Sequence, residues 1–248
     1  MTSSGPFIRE RKIALFLDVD GTLLEIASSP DAVRVPAGLR HTLQAACSRE
    51  EGALAFITGR AIASFDRLFA PQVYPVAGLH GLERRDSMGH LHRPTIPPQE
   101  LDHARRVLTD LQAVSAGLFL EDKGAGLAMH YRLAPGCETL VREVMTRLAG
   151  ELGGRYMLRP GKCVWELAPA GYSKRGAIEA FMAEAPFAQR TPVFVGDDVT
   201  DEDGFAAVNE LGGYSIRVGN IEDSKARHRF DSVSAVIAWL SARSQAPA

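Results

Sequence analysis

From Ile13 to Leu24 the chain reads I-A-L-F-L-D-V-D-G-T-L-L, an apolar run of strand length that ends in two carboxylates, Asp18 and Asp20, followed by Gly21 and Thr22. Side chains alternate along an extended chain, so Asp18 and Asp20 can point the same way from the strand's carboxyl end, while Gly21 permits the turn that leads out. Two like charges about 4 Å apart at an effective dielectric near 20 repel by roughly 4 kcal/mol. Such a pair persists only with a cation, a shared proton or full solvation. A solvated turn is the plain alternative, because Asp and Gly dominate turns after strands. A calcium loop of the EF-hand kind fits poorly: its sixth-position glycine would fall at Leu23 and its twelfth-position Glu at Ser29.

Three further stretches offer partners. Ala53 to Ile57, a second apolar run, ends in Thr58-Gly59-Arg60, which supplies a hydroxyl, a close-approach glycine and a cation. Taken alone, Thr58 reads as the N-cap of a helix from Ala61 to Phe69, a role compatible with anion binding. Lys174 heads an apolar-periodic helix carrying Ala177, Ile178, Phe181 and Met182, where an isolated lysine is ordinarily solvent-facing. Pro192 to Val195 leads into Gly196 and then Asp197, Asp198, Asp201, Glu202 and Asp203, either an acid-rich helix start or a cation site. In an open α/β sheet, sites lie where strand carboxyl ends converge.

In this order the stretches resemble the motifs of the haloacid dehalogenase-like phosphatases. The resemblance implies a Rossmann-like α/β core with a mostly parallel sheet. It implies that Asp18 attacks phosphorus, that Asp20 serves as acid and base to the leaving group, that Thr58 and Gly59 bind the phosphoryl oxygens, and that Lys174 neutralises the transferring group. Mg²⁺ suits an all-oxygen site made of the Asp18 carboxylate, the Asp20 backbone carbonyl and Asp197. Asp198 and Asp201 are expected behind these, holding Lys174 and a metal-bound water.

At 248 residues, the chain has room for one α/β core and a smaller inserted domain. A formal charge of -2 argues against a nucleic-acid surface. Met1 to Lys12 lacks the apolar segment of a secretion signal, and no apolar run approaches membrane-span length, so a cytoplasmic, monomeric enzyme is expected. Cys47, Cys137 and Cys163 are widely spaced and have no metal-ligand pattern, and Cys163 falls in an expected strand.

The core pattern changes after a third strand, Tyr74 to Ala77. Arg84 to Gly89 reads as a charged, turn-like stretch, and Arg93 to Pro98 as a linker. A helix with Leu101, Ala104, Leu108, Leu111 and Val114 on one face then precedes two strands, Leu118 to Asp122 and Leu127 to Tyr131. A second helix, with Leu140, Val141, Val144 and Leu148, precedes strands Tyr156 to Arg159 and Val164 to Leu167. The repeated helix-strand-strand unit reads as an α/β cap over residues 94–167, between core segments 1–93 and 168–248. The core ends in an amphipathic helix with Val233, Val236, Ile237 and Leu240, and disorder is expected after Arg243.

The cap hairpins are dense in polar residues. Alternation puts Glu121 with Lys123, and His130 with Arg132, on common faces, while Lys162 and Glu166 fall in the last hairpin. Cross-strand salt bridging accounts for any single pair. As a set, with Gly78-Leu79-His80-Gly81, Trp165-Glu166-Leu167 and Gly196 to Glu202, they resemble the trehalose-6-phosphate phosphatase family from about Ile13 to Asn220. That resemblance implies a small-molecule substrate, trehalose 6-phosphate, with Glu121, Lys123, His130, Arg132, Lys162 and Glu166 on its sugar hydroxyls and Arg60 and His80 lining the cleft from the core. Thr58 stands where the family often has Ser, which keeps the hydroxyl. Related phosphatases of sucrose phosphate or mannosyl-phosphoglycerate, a catalytically silent phosphosugar-binding module and a sugar-phosphate mutase are the alternatives.

Overall fold

A computed structural model describes residue 8 and residues 12–27, 33–220 and 223–245. The chain divides into two compact units, residues 1–93 with 173–248, and residues 94–172. Unit 2 thus starts at Pro94 and runs on to Tyr172, past Leu167, where the sequence reading ends the cap.

Unit 1 is built on β1 (Ile13–Leu17), every residue of which is fully buried. Ile13, Leu15 and Leu17 join one apolar layer, whereas Ala14 and Phe16 join the layer on the opposite face. A strand covered on both faces reads as an unbroken apolar run, which is why this segment shows no alternation of polar and apolar residues. The first layer is closed by α1 (Leu39–Arg49), α2 (Ile62–Phe69) and α7 (Val233–Gln245), through Leu43, Phe65 and Val236 among others. The second is closed by α5 (Lys174–Met182) and α6 (Glu202–Glu210), through Ile178, Phe181 and Phe205.

β2 (Leu54–Ile57) and β3 (Val76–Gly78) extend the sheet on one side of β1. β10 (Thr191–Gly196), β11 (Tyr214–Val218) and β12 (His228–Phe230) extend it on the other, all in parallel. The chain leaves β1 in one direction and returns on its other flank at β10. The carboxyl ends of β1 and β10 therefore meet at a topological switch point, where open α/β sheets bind ligands.

Two short antiparallel strands, β4 (Glu83–Arg85) and β5 (Leu91–His92), complete the eight-stranded sheet. This corrects the turn-like reading of Arg84 and Arg85. Their charges hide a strand because each is paired: Arg85 with Asp66 and the Tyr74 carbonyl, Arg84 with Glu184. α7 continues to Gln245, beyond the expected end of order at Arg243, and residues 246–248 lie outside those described. Among the described residues no helix is long and apolar enough to cross a membrane.

Unit 2 is a four-stranded antiparallel sheet in the order β6 (Phe119–Asp122), β7 (Leu127–His130), β9 (Val164–Pro169), β8 (Tyr156–Gly161). The two hairpins join through β7 and β9, and α3 (Asp102–Gln112) and α4 (Glu138–Glu151) pack Leu108, Leu111, Val141 and Met145 into its core. Cys163 is not in a strand. It sits in the tight β8–β9 turn at φ 61°, and Pro160 is tolerated opposite Trp165 because β8 is an edge strand.

Candidate active site

Asp18 follows β1 directly, is 5 % exposed, and accepts a hydrogen bond from Lys174 Nζ at 2.8 Å. Lys174 opens α5 after the Ser173 N-cap and is itself buried, against the expectation for a lone lysine. Its Nζ also donates to Asp201 Oδ1 at 2.6 Å. Asp201 has no exposed surface. Its second oxygen, Oδ2, accepts from the backbone N–H groups of Asp197 (3.0 Å) and Asp198 (2.9 Å). One carboxylate thus sets both the lysine and the loop after β10. Asp198 instead caps that loop, accepting from Val199 N at 2.7 Å.

Burial pushes the Asp18 carboxyl well above its ordinary value, and the Asp201 and Asp197 charges add to that rise against the opposing pull of Lys174. Burial also disfavours the Lys174 ammonium, but Asp18 and Asp201 outweigh it and drive its pKa upward, so the lysine remains charged. Oxygens of Asp18, Asp197 and Asp201 lie within 4.8 Å of one another, where each pair repels by about 3 kcal/mol at an effective dielectric of 20. With all three ionised, one ammonium leaves two negative charges unbalanced, a deficit that one hard divalent cation would balance. An all-oxygen donor set of this kind fits Mg²⁺ chemistry.

Close packing holds the carboxylates in place. Gly21 has φ 85°, and a Cβ there would lie 2.0 Å from Asp197 Oδ2. Thr22 is fully buried and its hydroxyl donates to Asp197 Oδ1 at 3.4 Å, a contact not assigned from sequence. A Cβ on Gly196 would meet Asp201 Cγ at 2.4 Å.

Asp20 is less buried than Asp18, its side chain being 36 % exposed. Both its oxygens accept from Arg60, from Nε and Nη2 at 2.6 Å each. Arg60, expected to line the cleft, therefore holds the acid-base candidate directly, a contact the sequence did not signal. Thr58 is buried after β2 and is not the cap of α2. Ala61 occupies that position, Thr58 Oγ1 accepts from Arg60 N at 3.1 Å, and the first free N–H of the helix, on Ile62, goes to Glu83 Oε1 at 2.6 Å. His80 adopts φ 56° and lays its ring against the Gly59 backbone, where a Cβ would fall 2.7 Å from Nε2. Gly59 is thus required by the close approach of His80.

Unit 2 carries its own polar cluster. Cross-strand register sets Glu121, Ala128, Glu166 and Arg159 in one row on one face of the sheet. Glu121 Oε2 pairs with His130 Nε2 at 2.9 Å, and Glu166 Oε2 accepts from Lys123 Nζ at 2.8 Å. Burial would raise the Glu121 carboxyl, but His130 and Lys123 prevail and hold it below its ordinary value. Arg132 donates to the Lys162 carbonyl at 3.1 Å, which places Lys162 at the turn. Arg159, which donates to the Tyr172 carbonyl, shares the row with Glu166 and was not singled out from sequence; its place in an expected strand facing Glu166 was the available signal.

The sequence model of the trehalose-phosphatase family matches residues 16–234, nearly the whole span that holds both clusters. The chain belongs to the trehalose-phosphatase family. It is accordingly a phosphatase. It is 44% identical over 232 residues to the trehalose-6-phosphate phosphatase of Escherichia coli K12, which covers 92% of this chain and 85% of that protein. Among solved structures, the C-terminal domain of Candida albicans trehalose-6-phosphate phosphatase superposes with a TM-score of 0.82 at 19% identity, over 95% of this chain and 93% of that one. A phosphatase of the haloalkanoate (HAD) superfamily from Bacteroides thetaiotaomicron superposes at 0.64 with 17% identity, over 96% of each. These likenesses establish the haloacid dehalogenase-like fold with a cap.

Proposed function

We propose that the chain hydrolyses trehalose 6-phosphate to trehalose and phosphate through a phosphorylated Asp18, with Mg²⁺ held by Asp18, the Asp20 carbonyl and Asp197. The observation that carries this reading is the buried Asp18–Lys174–Asp201 chain of hydrogen bonds beside Asp197 at the ends of β1 and β10. When bound, the cation would screen the carboxylates from one another and offset charge on the phosphoryl oxygens.

Asp18, with Oδ1 fixed by Lys174, has its other oxygen available for in-line attack on phosphorus. The bond from phosphorus to the sugar oxygen breaks as Asp20 gives that oxygen a proton. Asp20 then takes a proton from the water that attacks the phosphorylated aspartate, releasing phosphate and restoring the Asp18 carboxylate. Each Asp20 oxygen accepts one bond from Arg60 in the structure, which orients the carboxyl group and leaves a second lone pair on each oxygen for the proton it transfers. Lys174 and the Thr58 hydroxyl supply positive charge and a donor to the transferring group.

The sugar is assigned to the unit 2 face bearing Glu121, Lys123, His130 and Glu166, with Arg132 and Lys162 at its edge. Paired carboxylates and cations can accept from and donate to hydroxyls. The 44% identical relative supports trehalose 6-phosphate as the substrate. Phosphate release across trehalose 6-phosphate, sucrose phosphate and mannosyl-phosphoglycerate, with Mg²⁺ and with EDTA, tests the proposal. Mg²⁺-dependent release from trehalose 6-phosphate ahead of the others is expected. Preference for either of the others, or binding without release, would overturn it.

A further inference from the structure

β11 pairs in parallel with β10 so that Arg217 stands beside Gly196, the residue before Asp197. Arg217 is 3 % exposed, an unusual setting for a guanidinium. Its Nη2 donates to the Asp197 carbonyl at 2.6 Å and its Nη1 to Glu202 Oε1 at 2.6 Å. Glu202 is itself pinned, since Oε1 also accepts from Ser224 Oγ at 2.8 Å and Oε2 from Lys225 N at 2.7 Å. Asp197 is therefore held at both ends of its backbone, its N–H by the buried Asp201 carboxylate and its C=O by a buried guanidinium.

We infer that Arg217 is a positioning residue for the cation site: it clamps the Asp197 backbone so that the carboxylate stays aimed at Asp18 against their mutual repulsion. The inference rests on the Mg²⁺ reading above. Two facts separate this role from ordinary fold support. Among the described residues the Arg217 guanidinium donates to the Asp197 backbone carbonyl and to Glu202, and to none of the residues assigned to phosphate or sugar. It is also a costly way to fill space, because Nε is buried without a hydrogen-bond partner among the described residues. A hydrophobic residue of similar volume in place of a buried ion pair is often neutral or stabilising. The guanidinium's geometry matters as much as its charge, since one planar fork spans a carbonyl and a carboxylate that a single ammonium cannot serve in the same way.

Isothermal titration of Mg²⁺ into the full-length, substrate-free protein tests this, with Arg217→Lys, Arg217→Met and the double variant Arg217→Met with Glu202→Gln, which leaves no unpaired buried charge. Arg217→Lys is expected to bind Mg²⁺ about 10-fold more weakly, equal to about 1.4 kcal/mol, and Arg217→Met more weakly still. The double variant should keep wild-type thermal stability while retaining the Mg²⁺ defect. At saturating Mg²⁺ the KM for trehalose 6-phosphate should stay within about threefold of wild type in each folded variant. Wild-type Mg²⁺ affinity in folded Arg217→Lys or in the double variant would overturn the role of Arg217. Failure of the wild type itself to bind Mg²⁺ would instead overturn the functional reading on which it rests. Should Arg217→Met not fold, the other two variants decide the question.

Discussion

Asp201→Asn is the substitution whose effect the geometry specifies most fully. The Asp201 carboxylate accepts three hydrogen bonds, one from Lys174 on Oδ1 and two backbone N–H groups on Oδ2, with no exposed surface. An asparagine has one acceptor oxygen and one donor nitrogen. Placing the oxygen toward the backbone turns the NH₂ against the Lys174 ammonium, and the opposite rotamer turns it against two N–H donors. Either way at least one charge-assisted bond of about 1.5–3 kcal/mol is replaced by a donor facing a donor. A broken buried ion pair costs about 3–5 kcal/mol.

Relief of repulsion works the other way, since removing one of three carboxylates within 4.8 Å saves about 3 kcal/mol per pair. That relief is largest without a cation and smallest when Mg²⁺ already balances the charge. The expected loss in urea unfolding is therefore about 3–5 kcal/mol in saturating Mg²⁺, whereas in EDTA the relief of two repelling pairs, about 6 kcal/mol, cancels or reverses it. The Mg²⁺ figure corresponds to a fall in Tm on the order of 10 °C. Asp198→Asn should stay within about 0.5 kcal/mol, because Asp198 caps the loop after β10 through Val199 N and Asn caps as well as Asp. A loss below about 1 kcal/mol for Asp201→Asn in Mg²⁺ would refute the three-bond account of this residue.

Two further expectations concern the sugar and the proton. Glu166→Ala should reduce kcat/KM for trehalose 6-phosphate by about 10-fold or more while leaving hydrolysis of a small aryl phosphate within about twofold, since its Lys123 pairing lies in unit 2; equal losses on both substrates would make Glu166 structural. Asp18 carries a folded-state pKa raised above its ordinary 3.8, so ionising it in the cation-free protein costs stability as pH rises from that value through the raised one. A bound cation favours the ionised form, so the Tm increment from Mg²⁺ should be larger near pH 7.5 than near pH 5. An increment that shrinks with rising pH would contradict this linkage.

The site's strand-end residues were legible because each closes a buried apolar run: Asp18 after β1, Thr58 after β2 and Asp197 after β10. Lys174 was legible only from its order among those motifs, since its burial depends on two carboxylates that fold supplies, Asp18 and Asp201, 156 and 27 residues away. What failed were readings that assumed a local partner. Thr58 was assigned to the α2 cap, but Glu83, beyond β3, reaches that helix end. Arg60 was expected to line the cleft, and its pairing with Asp20, 40 residues earlier, had no signal in the sequence. Arg217 gave no signal, because a single arginine in a short strand is indistinguishable from a solvent-facing one until the β10–β11 register sets it behind Asp197.

The most direct measurement is the initial rate of phosphate release from trehalose 6-phosphate by Asp18→Asn beside wild type, both with saturating Mg²⁺ and with substrate binding followed by calorimetry. Removing the nucleophile while nearly preserving its shape should lower the rate by about 10³-fold or more with substrate affinity kept within about tenfold. A rate close to that of wild type would show that the chemistry does not run through the aspartate at the end of β1.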